Sequence, residues 1–328
     1  MRSRMSGVKV TVTGGAGFIG SHLVARLVGD GHDVVVLDDL STGDEASVHP
    51  EAAVVVGDVC DAALVRATVA GSEVVFHLAA HRAIARSIDD PAGTDRANSQ
   101  GTVTVLQAAV EEGVRRVVYA SSSSVYGDAP VTPVGEDAAL APVSPYAVSK
   151  LAGEHYCRVF GQIHGIETVA VRYFNVYGPG QPSDGRYATV IPLFLEALLS
   201  GRRPVVFGDG SLARDFTYVD DVVAATVAAA SAPLPGPGCA YNVGAGRPYS
   251  LLELLEILGS LTGVPPDPVH EEARAGDVAR THADASAAGR DLGFSPSVRL
   301  EEGLARTVQW FRARRADVVS EGSDRAEL

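Results

Sequence analysis

The stretch Thr13-Gly14-Gly15-Ala16-Gly17-Phe18-Ile19-Gly20 decides the fold. It follows an apolar run, Val8–Thr13, and opens a helical pattern, Phe18–Asp30. The glycines are spaced G-x-x-G-x-x-G rather than G-x-G-x-x-G. Glycine suits a backbone that turns sharply and approaches a phosphate closely, and the helix start then offers free N–H groups and a positive dipole end. Such glycines can also serve packing alone. The strand before them, the helix after them and an acid further on favour the phosphate reading. Gly14, Gly17, Phe18, Ile19 and Gly20 are therefore expected to hold a dinucleotide.

The next apolar strand, Asp33–Asp38, ends in Asp38-Asp39. An acid there can accept both adenosine ribose hydroxyls and would repel a 2′-phosphate, so NAD is favoured over NADP. Asp38 is preferred, and Asp39 reads as a loop acid. Gly57-Asp58-Val59 closes a third strand. Asp58 is placed to pair with the adenine amino group, or else to cap the helical stretch that starts near Asp61.

Outward from this loop the first half alternates strand and helix. Ala53–Gly57, Val74–Leu78, Arg116–Ala120 and Glu167–Tyr173 are short and valine-rich. Asp61–Thr68, Thr94–Glu112 and Pro145–His164 carry helical patterns. Near-continuous apolar strands alternating with helices imply a doubly wound parallel sheet, an α/β fold of Rossmann type. In the second half Ile191–Ser200, Val219–Ala230, Leu251–Thr262 and Glu301–Arg314 look helical. Val205–Phe207, Asp215–Tyr218 and Ala240–Val243 look extended. The expected organisation is a dinucleotide-binding domain over 1–174, with 215–246 returning to it. A smaller mixed α/β substrate domain follows from 175–214 and 247–315, and 316–328 reads as a flexible tail.

A second constellation carries the chemistry. Tyr146 and Lys150 stand one helical turn apart, and Ser121-Ser122-Ser123-Ser124-Val125-Tyr126-Gly127 lies about twenty residues upstream. An ammonium beside a phenol, and the positive ring of an oxidised nicotinamide, both favour the phenolate and lower the phenol pKa. A phenolate near neutral pH can take a hydroxyl proton while hydride leaves the same carbon. Lys150 can also hold the nicotinamide ribose, and Ser122 can hydrogen-bond the reacting oxygen. Ser144-Pro145 fits a helix start and places Tyr146 in the first turn.

Bulk properties bound the rest. The 328 residues are 46% apolar and carry a net charge of −13, with a sequence pI near 5.1. An acidic chain without a basic stripe argues against nucleic acid as a partner. Cys60, Cys157 and Cys239 form no C-x-x-C pair and read as reduced thiols of a cytoplasmic protein. The nine histidines show no metal-ligand spacing. Neither a signal peptide nor a membrane-spanning run is evident.

As a set, these residues resemble the extended short-chain dehydrogenase/reductases, in the nucleotide-sugar epimerase and dehydratase branch. The likeness runs from Val8 to about Phe311. It is carried by TGGAGFIGSHL from Thr13, FHLAA at 76–80, SSSSVYG at 121–127, SPYAVSK at 144–150, RYFNVYGP at 172–179, GDGSLARDFTYVDD at 208–221 and RAGDVARTHAD at 274–284. Within that branch it is strongest to 4-epimerases of UDP-glucose and of N-acetylated UDP-hexosamines.

The resemblance implies tightly bound NAD that is regenerated each turnover, a UDP-sugar substrate and a homodimer formed through the helical regions 94–112 and 145–164. It implies Ser122, Tyr146 and Lys150 as catalytic residues. Asp58, Val59, Leu78, Ala79, Ala80, Asn98 and Tyr173 would lie along the cofactor, with Arg82 in place of a family lysine. On the substrate side it implies Asn175, Phe207, Arg214, Arg274 and Asp277, the arginines matching phosphate oxygens.

Departures from the family pattern narrow the chemistry. Dehydratases of the branch carry an Asp-Glu pair after the catalytic hydroxyl residue; here those positions are Ser123 and Ser124. The decarboxylases that make UDP-xylose keep a glutamate at the second position. Epimerisation needs neither acid. UDP-glucuronate 4-epimerases also carry serine runs and are the main rival, with Arg186 as a candidate for the substrate carboxylate. The position that gates pocket size in the family is Thr281, a small residue, so N-acetylhexosamines are expected to fit.

Overall fold

The computed structural model describes residues 7–183, 188–273 and 278–324, with side chains through 315. Strands β1 (Lys9–Thr13), β2 (Asp33–Asp38), β3 (Ala53–Val56), β4 (Val74–His77), β5 (Arg116–Ser122) and β6 (Glu167–Tyr173) join Cys239–Val243 in one sheet. The spatial order is Cys239–Val243, β6, β5, β4, β1, β2, β3, and every pairing is parallel. Strand order reverses between β1 and β4, which creates a switch point at the carboxyl ends of these two strands.

The valine-rich strands bury both faces, and their two-residue period sorts the side chains. Val10, Val12, Val36, Phe76 and Val118 belong to one apolar cluster with Leu23 and Leu27 of helix α1 (Phe18–Gly29) and with Val222. Leu37, Val75, Val117 and Tyr119 belong to the other, with Val65 and Val69 of helix α2 (Ala62–Val69), Leu106 and Cys157. Each buried valine or leucine contributes about 1.5–3 kcal/mol of transfer free energy. A register slip of one residue would exchange the two faces.

Two stretches differ from the pattern of the sequence. The single helix expected over Thr94–Glu112 is divided into Pro91–Asp95, a π-type turn Arg96–Gln100 and Gly101–Glu111. It starts early because Asp90 accepts the Gly93 N–H at 2.9 Å and Pro91 occupies the first turn. The last helix runs Leu300–Asp324 and passes the expected end at Arg314. No proline interrupts 315–324, and extending an existing helix costs far less than nucleating one. Beyond the sheet, Val176–Tyr177 pairs with Thr217–Tyr218, Ala213–Asp215 with Pro248–Ser250, and Val205–Phe207 with Val269–Glu271. No described helix is long and apolar enough to cross a membrane.

Candidate active site

The glycine loop lies at the switch point. Gly14 has φ +73°, and a Cβ there would stand 2.6 Å from the Ala79 nitrogen, so only glycine fits. Gly17 is the N-cap of α1 and provides no side-chain cap. The first N–H groups of α1, including those of Phe18 and Ile19, lack intrahelical acceptors, and both residues line the cleft. Helix starts of this kind favour a bound anion.

Asp38 ends β2 and is 7% exposed. Its Oδ2 accepts the Ala16 N–H at 3.0 Å and its Oδ1 accepts the Leu40 N–H at 2.9 Å. Burial raises its carboxyl above the usual value against these two bonds, and neighbouring Asp39 adds to the rise. Asp38 thus ties the strand end to the glycine loop and lines the cleft. Asp39 lines the same cleft but is exposed. Asp58 also lines it; Oδ1 accepts from Cys60 N–H and Oδ2 from Arg96, each at 2.8 Å. Leu40 (φ 56°) and Ala83 (φ 91°) flank this region in the left-handed backbone region, a strain of about 1–3 kcal/mol each.

The catalytic candidates converge from β5 and the Pro145–His164 helix. Ser122 is the last residue of β5. Ser144 caps the helix, accepting the Ala147 N–H at 3.2 Å, and Pro145 follows it in the first turn. Tyr146 therefore stands in the first turn, and it lines the cleft together with Lys150. Lys150, one turn on, is 4% exposed and donates from Nζ to the Ala120 carbonyl at 2.8 Å.

The Lys150 ammonium is turned to Ala120 rather than to the phenol, and among the protein groups burial dominates and raises the Tyr146 phenol above its ordinary value. Ser122 and the Arg82 guanidinium pull the phenol the other way. Burial lowers Lys150 to about 8, while Cys157 and Glu154 oppose that shift.

Behind the serine run lies a buried ion pair. Arg172 donates to both Glu154 carboxylate oxygens, at 2.9 and 2.7 Å, and to the Tyr126 hydroxyl at 2.7 Å. Ser121 donates to the same glutamate. Ser122 Oγ accepts the Ser124 N–H at 3.1 Å, which fixes the turn over Ser123–Tyr126. The Ser124 hydroxyl is buried without a hydrogen-bond partner.

Of the remaining cofactor candidates, Gly20, Val59, Leu78, Ala79, Ala80, Arg82 and Tyr173 line the cleft. Asn98 does not. It is 1% exposed and clamps the His81 backbone, taking its N–H at 2.7 Å and giving to its carbonyl at 3.1 Å. Ser41, Thr42, His81 and Ala97 also line the cleft and were not anticipated. Ser41 and Thr42 could have been found from their place just after the β2 acid.

On the substrate side, Asn175 meets Thr281, whose backbone N–H bonds the Ala213 carbonyl at 3.0 Å beside Arg214. Phe207 ends the strand paired with Val269–Glu271. Arg186, Arg274 and Asp277 lie outside the described residues.

A parallel sheet whose switch point gathers a glycine loop, a strand-end acid and a Ser–Tyr–Lys set defines a dinucleotide-dependent α/β enzyme. The model of the NAD dependent epimerase/dehydratase family matches residues 10–244, and the chain belongs to that family. The UDP-glucose 4-epimerase of Mycolicibacterium smegmatis is 43% identical over 93% of this chain and 99% of its own. The dTDP-glucose 4,6-dehydratase of Actinoplanes sp. is 35% identical over 94% and 99%. Among solved structures, the UDP-glucose 4-epimerase of Thermotoga maritima with UDP-glucose superposes with a TM-score of 0.91 at 36% identity, covering 94% of this chain and 99% of that one. The cofactor is NAD, and the loop and helix start described above fit its pyrophosphate.

Proposed function

We propose that the protein is an NAD-dependent UDP-hexose 4-epimerase, interconverting UDP-glucose with UDP-galactose and also accepting the N-acetylhexosamine pair. One observation carries this reading. Tyr146 and Lys150 line the cleft together with Ser121, Ser122 follows as the last residue of β5, and serines occupy 123 and 124. The acids lining the cleft, Asp38, Asp39 and Asp58, lie at the ends of β2 and β3, across the switch point from β5. No carboxylic acid among the described cleft-lining residues thus belongs to β5 or the Pro145–His164 helix, where a dehydratase would need one. Proton removal and return remain well served.

In this reading Tyr146, whose phenolate the positive ring of oxidised NAD would favour against burial, takes the 4-hydroxyl proton and later restores it, while Ser122 holds the same oxygen. NAD, which Gly14, Gly17, Phe18, Ile19, Gly20 and Asp38 would hold, would supply reversible hydride chemistry at carbon 4. Lys150 holds the nicotinamide ribose. Between the half-reactions the pocket lets the 4-keto hexose turn its other face, for which Thr281 leaves space. Asn175, Arg214, Arg274 and Asp277 hold the nucleotide and diphosphate, with Phe207 at the base.

We also propose a cytoplasmic homodimer. Val148, Tyr156, Val159 and Ile163 form an exposed apolar stripe on the Pro145–His164 helix, at helical spacing.

The test is to incubate the purified protein, without added cofactor, with UDP-glucose, UDP-N-acetylglucosamine and UDP-glucuronate, and to resolve each from its 4-epimer. The first two are expected to convert. Accumulation of a keto sugar, or a requirement for stoichiometric NAD, would instead indicate a dehydratase or net oxidoreductase. Conversion of UDP-glucuronate alone would select the uronate reading.

A further inference from the structure

Asn175 and Thr281 are 106 positions apart in sequence, and their side chains meet at 2.9 Å. The Thr281 hydroxyl oxygen also accepts the Asp215 backbone N–H, at 3.0 Å. A backbone amide only donates, so one lone pair of the hydroxyl is committed to Asp215. Its single proton then needs an acceptor. The group within reach is the Asn175 carboxamide, and a hydroxyl proton pairs with its oxygen rather than its NH2. That assignment sets the amide direction: Oδ1 toward Thr281, Nδ2 away from it. Both backbones are held as well, Asn175 through its carbonyl to Thr217 N–H at 3.1 Å and Thr281 through its N–H to the Ala213 carbonyl at 3.0 Å. No described residue accepts from Asn175 Nδ2.

We infer that Thr281 is a positioning residue: its hydroxyl, and not only its small size, turns the Asn175 amide so that a donor faces an oxygen of the nucleotide sugar. The inference rests on the proposed function and adds to it. Size and hydrogen bonding are separable at this position. Thr281→Val keeps the shape and loses both bonds. Thr281→Ser keeps the hydroxyl and loses a methyl group. Thr281→Ala loses both hydroxyl and bulk. If volume alone mattered, Val would behave as Thr, and Ser would differ little from Ala.

The experiment measures KM and kcat for UDP-glucose and UDP-N-acetylglucosamine, and the Kd of UDP alone by calorimetry. It compares wild type with T281V, T281A, T281S, N175A and the T281V/N175A double variant, with NAD content and unfolding midpoint recorded for each. T281V and T281A are expected to raise KM about fivefold, as loss of one neutral hydrogen bond would, with a smaller effect on kcat. T281S restores KM to within about twofold of wild type. T281V adds nothing to N175A, because both act through one amide. A parallel rise in the Kd of UDP places the bonded oxygen on the diphosphate; an unchanged Kd places it on the hexose. Wild-type KM in T281V, or losses in T281V and N175A that simply add, overturns the inference. Should T281V not fold, the T281S and T281A comparison decides. If the wild type epimerises no UDP-sugar, the functional reading fails rather than the hydrogen-bond argument, which the UDP arm still tests.

Discussion

Arg172→Met is the perturbation with the largest expected cost. The Arg172 side chain is 5% exposed and that of Glu154 8%. The guanidinium makes two bonds to the glutamate and a third, at 2.7 Å, to the Tyr126 hydroxyl. Removing it leaves a buried carboxylate with the Ser121 hydroxyl as its remaining described side-chain partner. Stranding one member of a buried ion pair costs about 3–5 kcal/mol, because the desolvated charge loses its compensation. A native stability of about 5–15 kcal/mol would be largely consumed. Glu154→Gln in the same chain removes the stranded charge and keeps a group able to bond Ser121. The double variant should therefore recover more than half of the loss. Urea denaturation followed by circular dichroism measures all three proteins, and Arg172→Lys serves as an intermediate should R172M be too unstable to purify. A loss under about 1 kcal/mol for R172M, or a double variant no more stable than the single, would refute the argument.

Other outcomes follow from the same geometry. Tyr146→Phe should lower turnover by at least about 10³-fold while NAD still copurifies, since it removes the proton carrier and leaves the glycine loop intact; measurable turnover near wild type rules out the phenol. Asp38→Ala should release NAD, raising its Kd by at least about 100-fold through loss of both a ribose acceptor and the Ala16 tie, whereas Asp39→Ala should change it less than about tenfold. Burial lowers the Lys150 ammonium to about 8 from 10.5. In the NAD-free protein the folded state therefore sheds this proton first. Between those two values the unfolded chain binds more protons, so stability of wild type relative to K150M rises with pH across that window; a flat difference contradicts the buried ammonium. If the proposed dimer forms through this helix, Ile163→Glu, on a side chain 70% exposed, should yield a monomer in sedimentation without loss of NAD.

Local chemistry was the legible part of the molecule. Valine runs bounded by turn residues located β1 to β6 within about two residues, and the motifs around Gly14, Ser122 and Tyr146 came to the same cleft. Features set by long-range contact were hidden. Asn98 reads as a cofactor contact, but its place in the π-type turn aims it at the His81 backbone. Lys150 shares a helix face with Tyr146, yet its ammonium donates to the carbonyl of Ala120 on β5. Helical spacing gives the face and not the partner. The bond between Thr281 and Asn175 joins residues whose separation in sequence carries no periodic signal.

The central claim is that one carbon is oxidised and reduced again within one site, with Tyr146 moving the proton. UDP-glucose bearing deuterium at carbon 4 tests it most directly, with the purified protein and no added cofactor. Mass spectrometry and NMR of the product should find UDP-galactose with the deuterium still on carbon 4. Loss of the label to solvent, or a keto sugar that leaves the site, would contradict the account.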